Sequence, residues 1–200
     1  MADGYQYNEG DILSKFFNAP PYTQMDEWPY LVDIGAADGV DNSNSKQLLG
    51  TWNGLLVEPH PQYFMDLLKL YKSGAHYGLT RNIKLSNYAI SDVPGRKRFY
   101  LNNQCSSLVY PIGPSIEVEA VTLTDLFMLY GVPRHFEFMS IDCEGHDMAV
   151  LRSLDWKTWS IDLVCIEHSM DKQELDHFMK AVDYKLHERT QGNSFYVKKS

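Results

Sequence analysis

Apolar residues along this chain follow two alternating rhythms. Short, unbroken apolar runs are followed by stretches in which apolar residues recur every three or four positions. The first rhythm marks strands buried on both faces; the second marks amphipathic helices. Asp11 to Phe17 has helical spacing, with Ile12, Leu13, Phe16 and Phe17 on one face, and Ala19-Pro20-Pro21 ends it. Tyr30 to Ile34 reads as a first buried strand. Asn42 to Trp52 offers Asn and Ser caps and closes near Gly50, so it reads as a helix. Gly54 to Glu58 is a second strand, and Pro59 to Lys72 a second long helix. Ile83 to Ile90 reads as a third strand. Arg98 to Leu101 follows a Val93-Pro94-Gly95-Arg96 turn as a short strand. Asn102 to Pro114 is rich in Asn, Ser, Gly and Pro and reads as a loop. Ile116 to Val121 alternates like an edge strand, and Leu123 to Tyr130 is helical, capped by Thr122 or Thr124. Phe136 to Ile141 is a central strand, Gly145 to Leu154 a helix, Ile161 to Ile166 a strand and Lys172 to Val182 a helix. Tyr184 to Glu188 and Ser194 to Lys198 close the chain as a hairpin around Gly192-Asn193.

Strands that alternate with helices predict a mostly parallel sheet with helices on both faces and right-handed crossovers. The 200 residues suit one domain, with 1–28 as a helical lead-in. The formal net charge of −8 disfavours nucleic acid as a partner. The one dense basic cluster, Arg96-Lys97-Arg98, reads as part of a solvated hairpin. Cys105, Cys143 and Cys165 are odd in number and lack zinc-ligand spacing. Cys143 and Cys165 sit in strand-like runs, so free buried thiols and a reducing, cytoplasmic location are expected. The chain has no apolar run of membrane-spanning length, and its start lacks the features of a secretory signal.

In such sheets, ligands bind beyond the carboxyl ends of the strands, where the strand order reverses. The first strand ends in Asp33-Ile34-Gly35-Ala36-Ala37-Asp38-Gly39, and a helix start follows near Ser43-Asn44-Ser45. Glycines let backbone approach a ligand closely, and a helix start favours a carboxylate. Asp33 would repel a pyrophosphate but attract an ammonium group, so a zwitterionic amino-acid tail fits both features. The second strand ends in Glu58-Pro59, an acid placed to accept from both hydroxyls of a ribose. Ala89-Ile90-Ser91-Asp92 offers a small apolar surface beside a carboxylate, which suits an adenine ring and its amino group. The fourth long strand leads into Ile141-Asp142-Cys143-Glu144-Gly145-His146-Asp147, and the fifth ends in Glu167-His168. Acids at buried strand ends are costly unless something uses them. Asp142, Glu144, Glu167 and His168 are expected to converge, to orient or deprotonate a substrate hydroxyl, or to hold a divalent metal. Helix-capping is the bland alternative for Asp142 and Glu144. His146 and Asp147 read as helix-surface groups.

In these motifs, in this order, the sequence resembles the FkbM-type methyltransferase family over nearly its whole length. Val32-Asp33-Ile34-Gly35-Ala36-Ala37-Asp38-Gly39 is similar to the family's "VD-x-GA-x-x-G", and Trp52 to Pro59 looks like its "GW-x-G-x-x-x-EP". Tyr7 to Leu13, Ser43-Asn44-Ser45, Asn87 to Asp92, the serine loop Cys105 to Leu108 and Val121 to Leu126 resemble further family segments. Ile141 to Asp147 is similar to "K-x-D-x-EG-x-E", but Ser140 stands where the family often has Lys, and Asp147 where it usually has Glu. The resemblance implies a Rossmann-like class I methyltransferase fold with a seven-stranded sheet and an antiparallel carboxyl-terminal hairpin. It implies S-adenosylmethionine as cofactor, with Asp33, Gly35, Ala36, Gly39, Asn44 and Ser45 at its methionine end. Glu58 and Pro59 would meet its ribose, Ala89 and Ile90 its adenine, and Asp142 would border both cofactor and acceptor. Asp142, Glu144, Glu167 and His168 would assist methyl transfer to a hydroxyl of a sugar or small metabolite. Rival readings are a NAD-dependent oxidoreductase, disfavoured by the missing GxGxxG, a non-catalytic relative that the Ser140 departure keeps open, and an RNA methyltransferase, disfavoured by the acidic balance.

Overall fold

The computed structural model describes residues 9–18, 28–41, 43–72, 82–168 and 171–199. The expected helix start at Asn42, the Ala19-Pro20-Pro21 terminator and most of the lead-in lie outside them. Among the described residues, ten strands and six helices form in the order α1 (Glu9–Phe17), β1 (Tyr30–Ile34), α2 (Lys46–Leu49), β2 (Asn53–Val57), α3 (Pro61–Lys72), β3 (Ile83–Ser86), β4 (Ala89–Ile90), β5 (Gly95–Tyr100), β6 (Ser115–Val121), α4 (Leu123–Tyr130), β7 (His135–Ile141), α5 (Asp147–Arg152), β8 (Ser160–Glu167), α6 (Lys172–Ala181), β9 (Tyr184–Arg189) and β10 (Asn193–Lys198).

The main sheet has seven strands in the order β3-β2-β1-β7-β8-β10-β9. Its first five strands are parallel, and β10 runs antiparallel to both β8 and β9. Alternate side chains feed two apolar layers. Leu31, Leu56, Leu163 and Phe195 pack beneath α1, α2 and α3, against Leu13, Leu48 and Leu67. Val32, Val57, Met139 and Val164 face α4, α5 and α6, against Leu126, Val150 and Met179. Burial on both faces is what fills these strands with Val, Ile and Leu.

Where a helix carries its own start and stop chemistry, its bounds follow the sequence. α4 begins because the Thr122 hydroxyl accepts from Asp125 N at 3.0 Å, and it ends at Gly131, which adopts the left-handed conformation at φ 61°. Four expectations are corrected. The helix read over 42–52 contracts to Lys46–Leu49, because Ser43, Asn44 and Ser45 are buried and tied to one another and to neighbouring strands. The strand read over 83–90 breaks after Ser86, and Ala89–Ile90 joins a second sheet, order β4-β6-β5. There β6, read as an edge strand, is central. Arg96 and Arg98 of β5 face Glu119 and Glu117 of β6 across that sheet and are exposed, as expected for a solvated hairpin. His146 and Asp147 are not surface groups: Asp147 is fully buried and His146 half-buried. No helix among the described residues is long and apolar enough to cross a membrane.

Candidate active site

The strand order reverses between β1 and β7, and the loops beyond their carboxyl ends open into a cleft of about 790 Å³ including its mouth. Three lengths of backbone build its floor. After β1, Gly35 N and Ala36 N both donate to Val57 O, at 3.0 and 3.1 Å. Gly35 stands at φ 85°, where a Cβ would fall 1.8 Å from Asp142 O. Only glycine lets the β1 and β7 loops pass this closely. Gly39, at φ 73°, closes the turn by donating to Ala36 O at 2.9 Å.

Glu58, beyond β2, is buried yet faces the cleft. Its Oε2 accepts from Ala37 N at 2.9 Å and its Oε1 from His60 N at 2.7 Å. Each carboxylate oxygen keeps a further lone pair for a ligand. Burial pushes the Glu58 pKa up to about 7 against these two backbone donors, and the charge of Asp33 adds to the rise.

The third length of backbone follows β7. Here Asp147, the first residue of α5, turns back on its own loop and accepts from Cys143 N at 2.8 Å and Gly145 N at 3.2 Å. Burial lifts its pKa to about 7 despite these bonds. That clamp holds Glu144 in the left-handed conformation, at φ 50°, a strained setting for a residue with a Cβ. The Ser107 hydroxyl also donates to Glu144 O at 2.9 Å, which fixes the loop after β5 as the opposite bank. Phe99, Asn103, Gln104, Ser106 and Leu108 line the cleft from that side.

The expected convergence of acids is present for three of the four groups. Asp142, Glu144 and Glu167 each place a carboxylate oxygen within 4.8 Å of the others. Asp142 is raised well above the usual carboxylate range, by burial first, then by the charges of Glu167, Glu144 and Asp33. Glu144 is raised by burial and eased back by the Cys105 thiol. His168 takes another direction. Its Nε2 lies 2.9 Å from Gln191 O and its Nδ1 3.2 Å from Ser194 Oγ, so it braces the β9–β10 hairpin. Burial and the neighbouring charges favour the protonated form of Asp142 when nothing cationic is near; an all-oxygen set of this kind also suits a hard divalent cation.

The cofactor residues expected from sequence fall into two shells. Gly35, Glu58, Pro59, Ala89, Ile90 and Asp142 line the cleft. Asp33, Ala36, Gly39, Asn44 and Ser45 lie behind that lining. Ser45 Oγ donates to Asp33 Oδ2 at 2.5 Å, and Asn44 Nδ2 reaches Ser140 Oγ at 3.5 Å. Serine at 140 supplies Asp33 with a hydroxyl and no cation, and burial raises the Asp33 pKa to about 6. Among the described residues, the lining contains Asp41, Glu58, Asp142 and Glu144 but no Lys or Arg. This donor set fits a nucleoside that carries a sulfonium and an ammonium; it does not fit a pyrophosphate.

The model of the methyltransferase FkbM domain matches residues 33–191, the stretch that builds this cleft. The chain belongs to the FkbM methyltransferase family. The crystal structure of the methyltransferase FkbM from Methylobacillus flagellatus KT shares the fold at a TM-score of 0.59 and 13% identity, with 91% of this chain and 47% of that one covered. Precorrin-6y C5,15-methyltransferase from Geobacter metallireducens GS-15 does so at 0.52 and 13%, with 96% and 87% covered. At such identities the likeness is one of fold, and this FkbM-family chain spans about half the length of the Methylobacillus flagellatus protein. No curated protein sequence matches it.

The sequence reading missed Asp147 as the clamp of the family's "EG" loop and His146 as part of the cleft lining. The signal for Asp147 was its place two residues after Gly145 and at the start of an apolar helix, where an acid bonds back to free amides. Phe99 had no local signal, since only the second sheet brings it to the cleft.

Proposed function

We propose that the chain transfers a methyl group from S-adenosylmethionine to a hydroxyl oxygen of a neutral acceptor, a sugar or another small metabolite. Glu58 carries the reading: a buried, doubly supported carboxylate at the end of β2, beside the glycine turn, with lone pairs open to the cleft. It would hold the two ribose hydroxyls. Gly35 and Ala37 would meet the methionine end, with Asp33, Asn44 and Ser45 holding that turn from behind. Ala89 and Ile90 would flank the base. When bound, S-adenosylmethionine supplies a methyl group activated on sulfur.

The protein's remaining work is to align the acceptor oxygen and take up its proton. Asp142 and Glu144 border the cleft, and Glu167 stands within reach behind them. Burial makes Asp142 and Glu144 stronger bases than free carboxylates, which suits them to accept a hydroxyl proton. Among the described residues, four acids and no Lys or Arg in the lining disfavour phosphorylated acceptors, nucleic acid and the pyrophosphate of NAD. Three unpaired cysteines support a cytoplasmic location.

The test is transfer of radiolabelled methyl from S-adenosylmethionine to a panel of sugars and hydroxylated metabolites. The wild type is expected to label at least one neutral hydroxyl acceptor. Asp142→Asn is expected to lose labelling while still binding S-adenosylhomocysteine. Labelling confined to amine or phosphate acceptors, or unchanged turnover in Asp142→Asn, contradicts the proposal.

A further inference from the structure

Among the described residues, His146 is the one imidazole that lines the cleft, and the proposed mechanism makes no use of it. It stands where the apolar wall Ala89–Ile90 ends. The next residue, Ser91, is buried, and its Oγ lies 3.2 Å from His146 Nε2. The same hydroxyl donates to Asp92 Oδ1 at 3.3 Å. A hydroxyl has one hydrogen. With that hydrogen turned toward the Asp92 carboxylate, the lone pair of Ser91 faces His146, and Nε2 must carry the ring proton. Burial favours the neutral ring. A neutral imidazole protonated at Nε2 has a bare lone pair at Nδ1. Among the described residues, the His146 ring makes no other hydrogen bond, so nothing donates to Nδ1.

The Asp92–Ser91–His146 relay therefore presents a fixed acceptor at the end of the wall assigned to the base. We infer that His146 Nδ1 accepts a hydrogen bond from the exocyclic amino group of the bound purine, so that the cleft selects a 6-aminopurine nucleoside over a 6-oxopurine. This assigns the base edge to His146 rather than to Asp92, which is exposed and absent from the lining. A 6-oxo group would set its own oxygen lone pairs against the one on Nδ1, and two acceptors face to face repel. The inference rests on the proposal that a purine nucleoside occupies this cleft.

The test is isothermal titration of the whole protein with S-adenosylhomocysteine and with S-inosylhomocysteine. The wild type is expected to bind the amino nucleoside at least about tenfold more tightly. His146→Ala should cut that preference to roughly threefold or less, mostly by weakening the amino nucleoside. His146→Gln, which keeps an acceptor, should restore part of it. Ser91→Ala keeps the ring but frees its tautomer, and should also lower the preference. Equal wild-type binding of the two nucleosides overturns the inference while leaving the cofactor reading intact. So does a preference that survives in His146→Ala and Ser91→Ala. No binding of either nucleoside overturns both.

Discussion

Consider the affinity for S-adenosylhomocysteine as pH rises from 6 to 8. Burial holds the Glu58 pKa near 7 in the free protein, where the usual value is 4.5. The proposed ribose contact needs the ionised form, because two hydroxyls must donate to it. The sign follows: a proton has to leave before the ligand is held, so binding strengthens as pH rises. At pH 6 about one molecule in eleven has Glu58 ionised; at pH 8 about ten in eleven do. If the bound carboxylate stays ionised across this range, the association constant rises about tenfold, or about 1.4 kcal/mol. Asp33, near 6, and Asp147, near 7, titrate in the same window, so the slope alone does not isolate Glu58. The comparison with Glu58→Gln does. Calorimetry at pH 6 in two buffers of different ionisation enthalpy should find close to one proton released by the wild type and markedly less by the variant. A flat affinity from pH 6 to 8, or the same slope and proton release in Glu58→Gln, would refute the reasoning.

Three further outcomes are expected. Gly35→Ala places a Cβ 1.8 Å from Asp142 O at a backbone φ of 85°, and should lower stability by roughly 3 kcal/mol or more. Thermal unfolding should show this as a fall of about 6–12 °C, and an unchanged midpoint would contradict the close approach of the two loops. Asp147→Ala leaves the amides of Cys143 and Gly145 without their acceptor and should cost about 2–4 kcal/mol in urea unfolding, whereas Asp147→Asn, which keeps an oxygen, should lose less. Finally, Asp33, Glu58 and Asp147 all have folded-state pKa values raised to about 6, 7 and 7, so ionising them works against the empty fold. Stability of the ligand-free protein should be greatest below about pH 4 to 5 as far as these groups decide it, and decline as pH rises through 7. A urea midpoint that climbs between pH 5.5 and 8 would contradict their burial as neutral groups.

The two periodicities placed the main sheet well, because strands buried on both faces carry unbroken apolar runs. Tyr30–Ile34 and Leu123–Tyr130 fell where their patterns ended. Legibility failed where side chains serve tertiary bonds rather than local ones. Ser43, Asn44 and Ser45 look like helix caps, but their hydroxyls and amide go to one another, Asp33 and Ser140. The second sheet was hidden because Ala89–Ile90 is too short to show a period, and its partner lies some thirty residues away at Ala120 and Val121. At the site, the acids after β7 and β8 stood out because buried strand ends seldom carry charge. That cue could not separate Glu167, which joins the acid cluster, from its neighbour His168, which turns to Gln191 and Ser194. Adjacent residues on a strand end point opposite ways, and only the hairpin decides which one is captured.

The central claim is that the cleft beyond β1 and β2 holds a sulfonium nucleoside with Glu58 on its sugar. A crystal structure of the protein grown with S-adenosylhomocysteine tests this most directly. The account predicts both ribose hydroxyls within about 3 Å of the Glu58 carboxylate, with the amino-acid tail over the Gly35 turn. A nucleoside bound elsewhere, or in this cleft with its ribose away from Glu58, would contradict it.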